Sequence, residues 1–104
     1  MSDFRHVCTL AELTDSKPRL VHVAGEDIVL VRQGDEVFAL SDICSHADVS
    51  LSTGEVIDGA IECWLHGSRF DLRTGDPSGP PAWAPVPTYQ TTVTTDGAVA
   101  VSVA

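Results

Sequence analysis

Cysteine is scarce in this sequence. The 104 residues include three cysteines, too few and too odd a number for a disulfide framework. Unpaired thiols are the usual state in a reducing compartment, so the cysteine content favours a cytoplasmic protein. Cys8 stands apart from the other two, between the apolar neighbours Val7 and Leu10, and we expect it to be a buried thiol at the end of a strand.

Basic residues are also few. Lys and Arg together number 6 against 15 Asp and Glu, which gives a formal net charge of −9. This charge argues against nucleic acid and against anionic membrane surfaces as partners. Two interpretations stay open: the acidic surface docks on a basic partner, or the acidity serves only to keep the protein soluble.

Long apolar runs are missing. The first six residues, MSDFRH, contain nothing that resembles the apolar region of a signal peptide. No segment is long enough to span a membrane. We therefore expect a cytoplasmic protein that does not associate with membranes.

Long helical segments are missing as well, because Gly and Pro interrupt the chain too often. Short runs rich in Val, Ile and Leu alternate with turn residues, and the Asp-Gly pairs at 58–59 and 96–97 predict hairpins. Thr9 and Glu12 have the spacing of a capping box around one helical turn. The sequence predicts one all-β domain over residues 1–104, with about nine or ten short strands. Strands are expected near residues 19–24, 28–32, 36–40, 70–73, 89–95 and 98–103, and a further hairpin over 56–61.

Two short pairs of metal-ligating residues stand out in the middle of the chain. Cys44-Ser45-His46 and Cys63-Trp64-Leu65-His66 are separated by sixteen residues. Thiolate and imidazole together suit zinc or iron, and thiolates in particular suit iron–sulfur clusters. One alternative is a structural zinc site in an interaction module without redox function. Zinc ligand pairs are usually spaced by about two to four residues, so the single residue between Cys44 and His46 favours the cluster.

The pattern C-x-H, sixteen residues, C-x-x-H resembles that of the Rieske [2Fe–2S] family, in which two His replace two Cys on one iron. The resemblance extends through residues 67–71 and 79–81 and covers nearly the whole chain. It implies a β-sandwich with a small cluster-binding subdomain and one [2Fe–2S] cluster. In that arrangement Cys44 and Cys63 bind one iron, and His46 and His66 bind the other. We refer to residues 43–53 as the first ligand loop and to residues 63–69 as the second.

The resemblance also assigns roles to residues near the ligands. Gly67 lets the backbone approach the cluster, and Ser68 matches a hydroxyl that donates to a cluster sulfur. Pro81 falls in Gly79-Pro80-Pro81, which resembles the proline loop that covers the cluster. Leu51, Trp64 and Leu65 flank the ligand pairs, and we expect them to exclude water from the irons or to join the core.

Two departures from the high-potential members of the family predict a low reduction potential. Val49 and Leu65 stand where those members carry a disulfide between the ligand loops. Phe70 stands where they carry a Tyr that donates a second hydroxyl hydrogen bond. Fewer donors leave the reduced cluster less stabilised, so we expect a potential near the low end of the Rieske range, roughly −150 mV.

The chain resembles the ferredoxin components of ring-hydroxylating dioxygenase systems. It implies a monomeric one-electron carrier between a flavoprotein reductase and a terminal non-haem iron oxygenase, without catalytic turnover of its own. No two-His–one-carboxylate site can be assigned that would hold a catalytic iron. Service to iron–sulfur assembly, or to a nitrite reductase-like system, remains an alternative. His6 and His22 lack partner ligands at useful spacing and are expected to be surface or strand residues.

Overall fold

Strands make up nearly all the regular structure. The computed structural model describes residues 4–43, 50–64, 67–78 and 84–102. Within these ranges there are nine strands, two short 3-10 helices and no α-helix, and therefore no helix that could cross a membrane. The strands are β1 (Phe4–Thr9), β2 (Arg19–Val23), β3 (Glu26–Gln33), β4 (Glu36–Ser41), β5 (Glu55–Ile57), β6 (Ala60–Glu62), β7 (Arg69–Asp71), β8 (Thr88–Val93) and β9 (Ala98–Ser102); the 3-10 helices are Leu10–Glu12 and Leu51–Thr53.

Local turn chemistry sets most of the hairpins. Asp58 and Gly59 both have positive φ, +50° and +76°, as a type I′ turn requires. They join β5 to β6 in the register Ile57 opposite Ala60. Glu12 accepts a hydrogen bond from the Thr9 backbone N–H at 2.9 Å, which completes the expected capping box. The predicted hairpins and the single helical turn are confirmed.

The strands form two antiparallel sheets. The larger has the order β1-β9-β8-β4-β3-β2 and the smaller has the order β5-β6-β7. The larger sheet folds back on itself, because residues of β1 and β9 pack against residues of β2 and β3 in one shared core. The smaller sheet lies on the outer face of β3 and β4. The predicted all-β sandwich with a small subdomain is confirmed.

Strand β3 is buried on both faces. Ile28 and Leu30 point into the core enclosed by the larger sheet, while Val29 and Val31 point into the core between the two sheets. All four side chains are completely buried. Each such burial contributes about 1.5–3 kcal/mol to stability, so this strand ties the two halves of the molecule together. The inter-sheet core consists of Val29, Val31, Leu40, Leu51, Ile61, Cys63, Phe70, Leu72 and Val86.

A close backbone approach holds the first ligand loop to the small sheet. Gly54 follows the second 3-10 helix, and a Cβ at this position would lie 1.8 Å from the carbonyl oxygen of Glu62. Gly54 has an ordinary negative φ of −89°, so glycine is required here for space rather than for backbone conformation. Glu62 directly precedes Cys63, so the contact fixes the spacing between the segments that carry the two ligand pairs.

We expect Gly54→Ala to lower the free energy of unfolding by about 3 kcal/mol, because the added methyl group must displace backbone atoms that are already paired in a sheet. Gly34→Ala is the matched control. Gly34 has a φ of +63° and open space around its Cβ position, so alanine there costs only about 1–2 kcal/mol of backbone strain. Thermal unfolding of both variants is the measurement. Equal unfolding midpoints for the two variants would show that the chain accommodates the methyl group at position 54.

Candidate metal centre

Both ligand loops join the small sheet at the same end of that sheet. Strand β5 begins at Glu55, β6 ends at Glu62 and β7 begins at Arg69, and these three residues lie opposite one another in a single row. The first ligand loop leads into β5 through the second 3-10 helix, and the second ligand loop joins β6 to β7. The two segments predicted to bind metal therefore approach one edge of one sheet.

Hydrogen bonds close the base of the first ligand loop. Ile43 and Ser50 form an antiparallel bridge, and the Leu51 N–H donates to the Asp42 carbonyl oxygen at 2.6 Å. The buried Asp42 carboxylate accepts a hydrogen bond from the Ser52 N–H at 2.8 Å. Residues 44–49 lie outside the described ranges, and with them the predicted ligands Cys44 and His46.

The second ligand loop is closed in the same way. The Cys63 N–H donates to the Ser68 carbonyl oxygen at 2.7 Å, and the Gly67 N–H donates to the Cys63 carbonyl oxygen at 3.0 Å. Gly67 has a φ of +75°, a backbone conformation that side-chain-bearing residues rarely adopt. Leu65 and the predicted ligand His66 lie outside the described residues.

The segment that contains the Pro81 motif starts beside β7. Ser78 donates its N–H to the Arg69 carbonyl oxygen at 2.8 Å, and Val86 donates to the Gly75 carbonyl oxygen at 3.0 Å. Residues 79–83, including Gly79, Pro80 and Pro81, lie outside the described ranges. The chain therefore leaves for this segment beside Arg69, at the end of the second ligand loop, and returns beside Gly75, in the turn that follows β7.

Cys63 and Ser68 face inward from the second ligand loop. The Cys63 side chain is completely buried in the inter-sheet core and forms no disulfide. Ser68 is 2% exposed, and its hydroxyl has no hydrogen-bond partner among the described residues. Leaving a buried hydroxyl unpaired costs about 1–3 kcal/mol. A free hydroxyl beside a buried thiol suits a bound group that offers sulfur or oxygen acceptors.

Several neighbouring residues have structural functions that the sequence did not reveal. Asp42 and Gly54 position the first ligand loop, and Arg69 forms a 2.9 Å ion pair with Glu62 at the base of the second. No short motif marks these contacts, because Asp42 acts on a residue ten positions away. The contact of Gly54 with Glu62 likewise depends on how the sheet pairs.

The other titratable residues weighed as ligands lie elsewhere. Cys8 is buried on β1 in the core of the larger sheet, as predicted, and burial raises the pKa of its thiol. His22 is exposed on β2 and bonds to Asp27 across the β2–β3 pair. His6 lies on β1. Leu51 belongs to the inter-sheet core, one of the two positions expected for it, whereas Trp64 is 57% exposed and does not.

The described residues therefore form a small β protein in which the bases of two loops are anchored at one end of the small sheet, with a buried free thiol and a buried unpartnered hydroxyl in the second loop. The sequence profile of the Rieske [2Fe–2S] domain matches residues 3–90 of the chain. The chain belongs to this family, whose cofactor is one [2Fe–2S] cluster of the Rieske type. The match favours a [2Fe–2S] cluster over zinc as the cofactor.

Individual relatives give the same result. The chain is 39% identical over 104 residues to the anthranilate 1,2-dioxygenase ferredoxin subunit of Burkholderia cepacia, covering 99% of this chain and 94% of that protein. It is 38% identical to the ferredoxin of carbazole 1,9a-dioxygenase from Nocardioides aromaticivorans IC177, with a TM-score of 0.91 over 96% of this chain and 97% of that one.

A third similar chain is part of the structure of a protein complex. A structure of the complex of reduced oxygenase and oxidized ferredoxin in carbazole 1,9a-dioxygenase contains a chain that is 30% identical, with a TM-score of 0.88. The match covers 98% of this chain and 94% of that one. The first two relatives are named as ferredoxins, which confirms the prediction of an electron carrier rather than an enzyme.

The Ser68 hydroxyl generates a test of the site. If it donates to a cluster sulfur, Ser68→Ala should lower the reduction potential by about 30–65 mV, because a hydrogen bond to a charged acceptor is worth about 1.5–3 kcal/mol and about half of it is gained on reduction. Protein-film voltammetry at one pH measures the shift.

Ser50→Ala is a control for this measurement, since Ser50 lies at the base of the first ligand loop and is only half-buried. An unchanged potential in Ser68→Ala, with an intact cluster spectrum, would show that the hydroxyl does not point at the cluster.

Proposed function

We propose that the chain is the ferredoxin component of a ring-hydroxylating dioxygenase system and acts as a single Rieske domain over residues 1–104. In this function it carries one electron at a time from a flavoprotein reductase to a terminal non-haem iron oxygenase. The names of the relatives support this function over iron–sulfur assembly or nitrite reduction. The complex of a related ferredoxin with its oxygenase supports the oxygenase as the electron acceptor.

The proposed ligands are Cys44 and Cys63 on one iron and His46 and His66 on the other. Their support is the convergence of the two closed loops on one row of the small sheet. The buried thiol of Cys63, the one of the four whose position is described, adds to it. The chain has only three cysteines, and Cys8 lies in the other core, so ligation by four thiolates is not available.

When bound, the cluster accepts and releases a single electron. The chain's own residues hold it in place and set the conditions for that exchange. Cys63 binds from a completely buried position, which keeps water from its sulfur. Gly67 allows the loop to turn tightly around the site, and Ser68 directs a hydroxyl into it. Pro81 lies outside the described residues, and we propose that it covers the cluster, as its resemblance to the family's proline loop implies.

We also propose that the potential lies near the low end of the Rieske range, roughly −150 mV. Phe70 is completely buried in the inter-sheet core and brings no hydroxyl to the site, which leaves Ser68 as the side-chain donor. Val49 and Leu65 cannot form a disulfide between the loops. Fewer donors leave the reduced state with less stabilisation.

The proposed protein is a cytoplasmic monomer that meets its partners by diffusion. Its formal charge of −9 suits steering towards basic docking surfaces. The arginines whose ion pairs are described neutralise carboxylates of this same chain, such as Arg73 with Glu36 at 3.0 Å and Arg69 with Glu62 at 2.9 Å. The carboxylates in excess therefore determine the sign of the charge that the protein presents to a partner.

The main support for the proposal is the thiol of Cys63. It is buried, forms no disulfide and lies directly after β6, at the start of the second ligand loop. We expect Cys63→Ser to lose most of the two irons that the wild-type chain binds, together with the visible absorption, because serine replaces the thiolate that the iron requires. Iron content per chain and the visible spectrum are the measurements.

Cys8→Ser is the matched control, since Cys8 is equally buried and lies in the core of the larger sheet. It should keep both irons even though the fold loses some stability. Loss of iron in the Cys8 variant, or full retention in the Cys63 variant, would contradict the ligand assignment.

A further inference from the structure

Three charged residues cross the small sheet in one row, at the end where the sheet meets the ligand loops. Glu55 on β5 lies opposite Glu62 on β6, and Glu62 lies opposite Arg69 on β7. We call these three residues the charged row. Side chains directly opposite each other in an antiparallel pair project from the same face of a sheet. Two carboxylates and one guanidinium therefore share one face, with one negative charge in excess.

The charged row lies on the outer face of the small sheet. Successive side chains of a strand point to opposite faces, and the next row, formed by Val56, Ile61 and Phe70, packs in the inter-sheet core. The outer position does not expose the charges fully, since the side chain of Glu62 is 27% exposed and that of Arg69 is 42% exposed. Salt screens partly buried charges less than fully exposed ones, so these charges also act on groups outside their own pair.

Two members of the charged row adjoin the residues of the metal site. Glu62 directly precedes the proposed ligand Cys63, and Arg69 directly follows Ser68. The Cys63 N–H donates to the Ser68 carbonyl oxygen at 2.7 Å, and the 2.9 Å ion pair between Arg69 Nε and Glu62 Oε2 joins the same two chain segments one residue further on. One residue of a strand spans about 3.3 Å. Both charges are therefore fixed close to the buried thiol and hydroxyl.

A fixed charge near the metal site changes the free energy of adding an electron there. Reduction adds one negative charge, so a nearby cation favours the reduced state and a nearby anion favours the oxidised state. Net charge is one of the factors that set the potential of an iron–sulfur cluster. In the charged row, Glu62 offsets the guanidinium of Arg69, and the exposed Glu55 adds a further negative charge.

We infer that the charged row is a second determinant of the reduction potential: Arg69 raises the potential, while Glu62 and Glu55 lower it. This inference rests on the proposed function, in which the two ligand loops hold a cluster that carries one electron, and adds to it the residues whose charges set the potential. It also supplies a cause of a low potential besides the missing hydroxyl at Phe70. A purely structural function of the ion pair would not distinguish its two ends, because loss of either end breaks the same contact.

The test is protein-film voltammetry of the holoprotein at one pH and at low ionic strength. We expect Arg69→Gln to lower the equilibrium constant for reduction and Glu62→Gln to raise it, each by about threefold or more, which corresponds to about 30 mV for one electron. Glu55→Gln should raise the potential by less, because Glu55 is exposed. The Glu62→Gln/Arg69→Gln double variant should return close to the wild-type value, since the two changes of charge cancel. Added salt should reduce every shift.

Arg73→Gln and Glu36→Gln are the matched controls. They break an ion pair of the same kind, at 3.0 Å, between the residue that follows β7 by two positions and the first residue of β4. These side chains are more exposed, at 66% and 58%, and Arg73 lies beyond the end of β7 that is far from the second ligand loop. Both control variants should keep the wild-type potential. The iron content and the visible spectrum should stay the same in every variant, which separates an effect of charge from damage to the cluster.

Shifts of the same sign in Arg69→Gln and Glu62→Gln would overturn the inference, because they would show that loss of the contact, rather than the charge, moves the potential. Unchanged potentials in both variants would overturn it as well. Either result leaves the proposed function intact, since the wild-type chain still shows a reversible one-electron couple. Absence of that couple in a wild-type chain with both irons bound would contradict the proposed function itself, and this outcome is visible before any variant is compared.

Discussion

The metal site depends on the two-sided burial of β3 and β4. Val29, Val31 and Leu40 form the floor on which the small sheet packs, while the opposite face of the same strands fills the core of the larger sheet. Leu51, near the end of the first ligand loop, and Cys63, at the start of the second, are buried against these three side chains. The hydrophobic effect therefore holds both loops to β3 and β4. Loss of a large side chain in the inter-sheet core would therefore move the ligand loops as well as weaken the fold.

Within that frame, backbone hydrogen bonds position the site and a few side chains determine its chemistry. Each ligand loop is closed at its base by main-chain contacts, so the chain itself holds the two loop bases at one end of the small sheet, and less ordering remains for a metal to impose. The same main-chain hydrogen bonds fix the side chains on both sides of the second ligand loop. They hold the Cys63 thiol and the Ser68 hydroxyl inside and present Trp64 outside.

Features that depend on neighbouring residues could be predicted from the sequence, and features that depend on distant pairing could not. The Asp58-Gly59 turn and the Thr9–Glu12 capping box are local, and both were confirmed. The ligand spacing and its resemblance to the Rieske pattern led to the correct family. The Asp42 bond to Ser52 and the contact of Gly54 with Glu62 arise only once sheets have paired. The exposure of Trp64 also escaped prediction, because a Trp beside a ligand is as compatible with a shielded position as with an open one.

We propose that two cysteines and two histidines of the converging loops hold one [2Fe–2S] cluster. Pulsed electron–nuclear double resonance on the reduced protein, grown with ¹⁵N-labelled histidine, tests it most directly, because only nitrogens bound to the iron couple strongly to its unpaired electron. We expect two strongly coupled histidine nitrogens, unchanged in a His6→Gln/His22→Gln double variant, since His22 bonds to Asp27 on the β2–β3 pair and His6 lies on β1. A spectrum without coupled nitrogen, or one whose coupling disappears in the double variant, would contradict it.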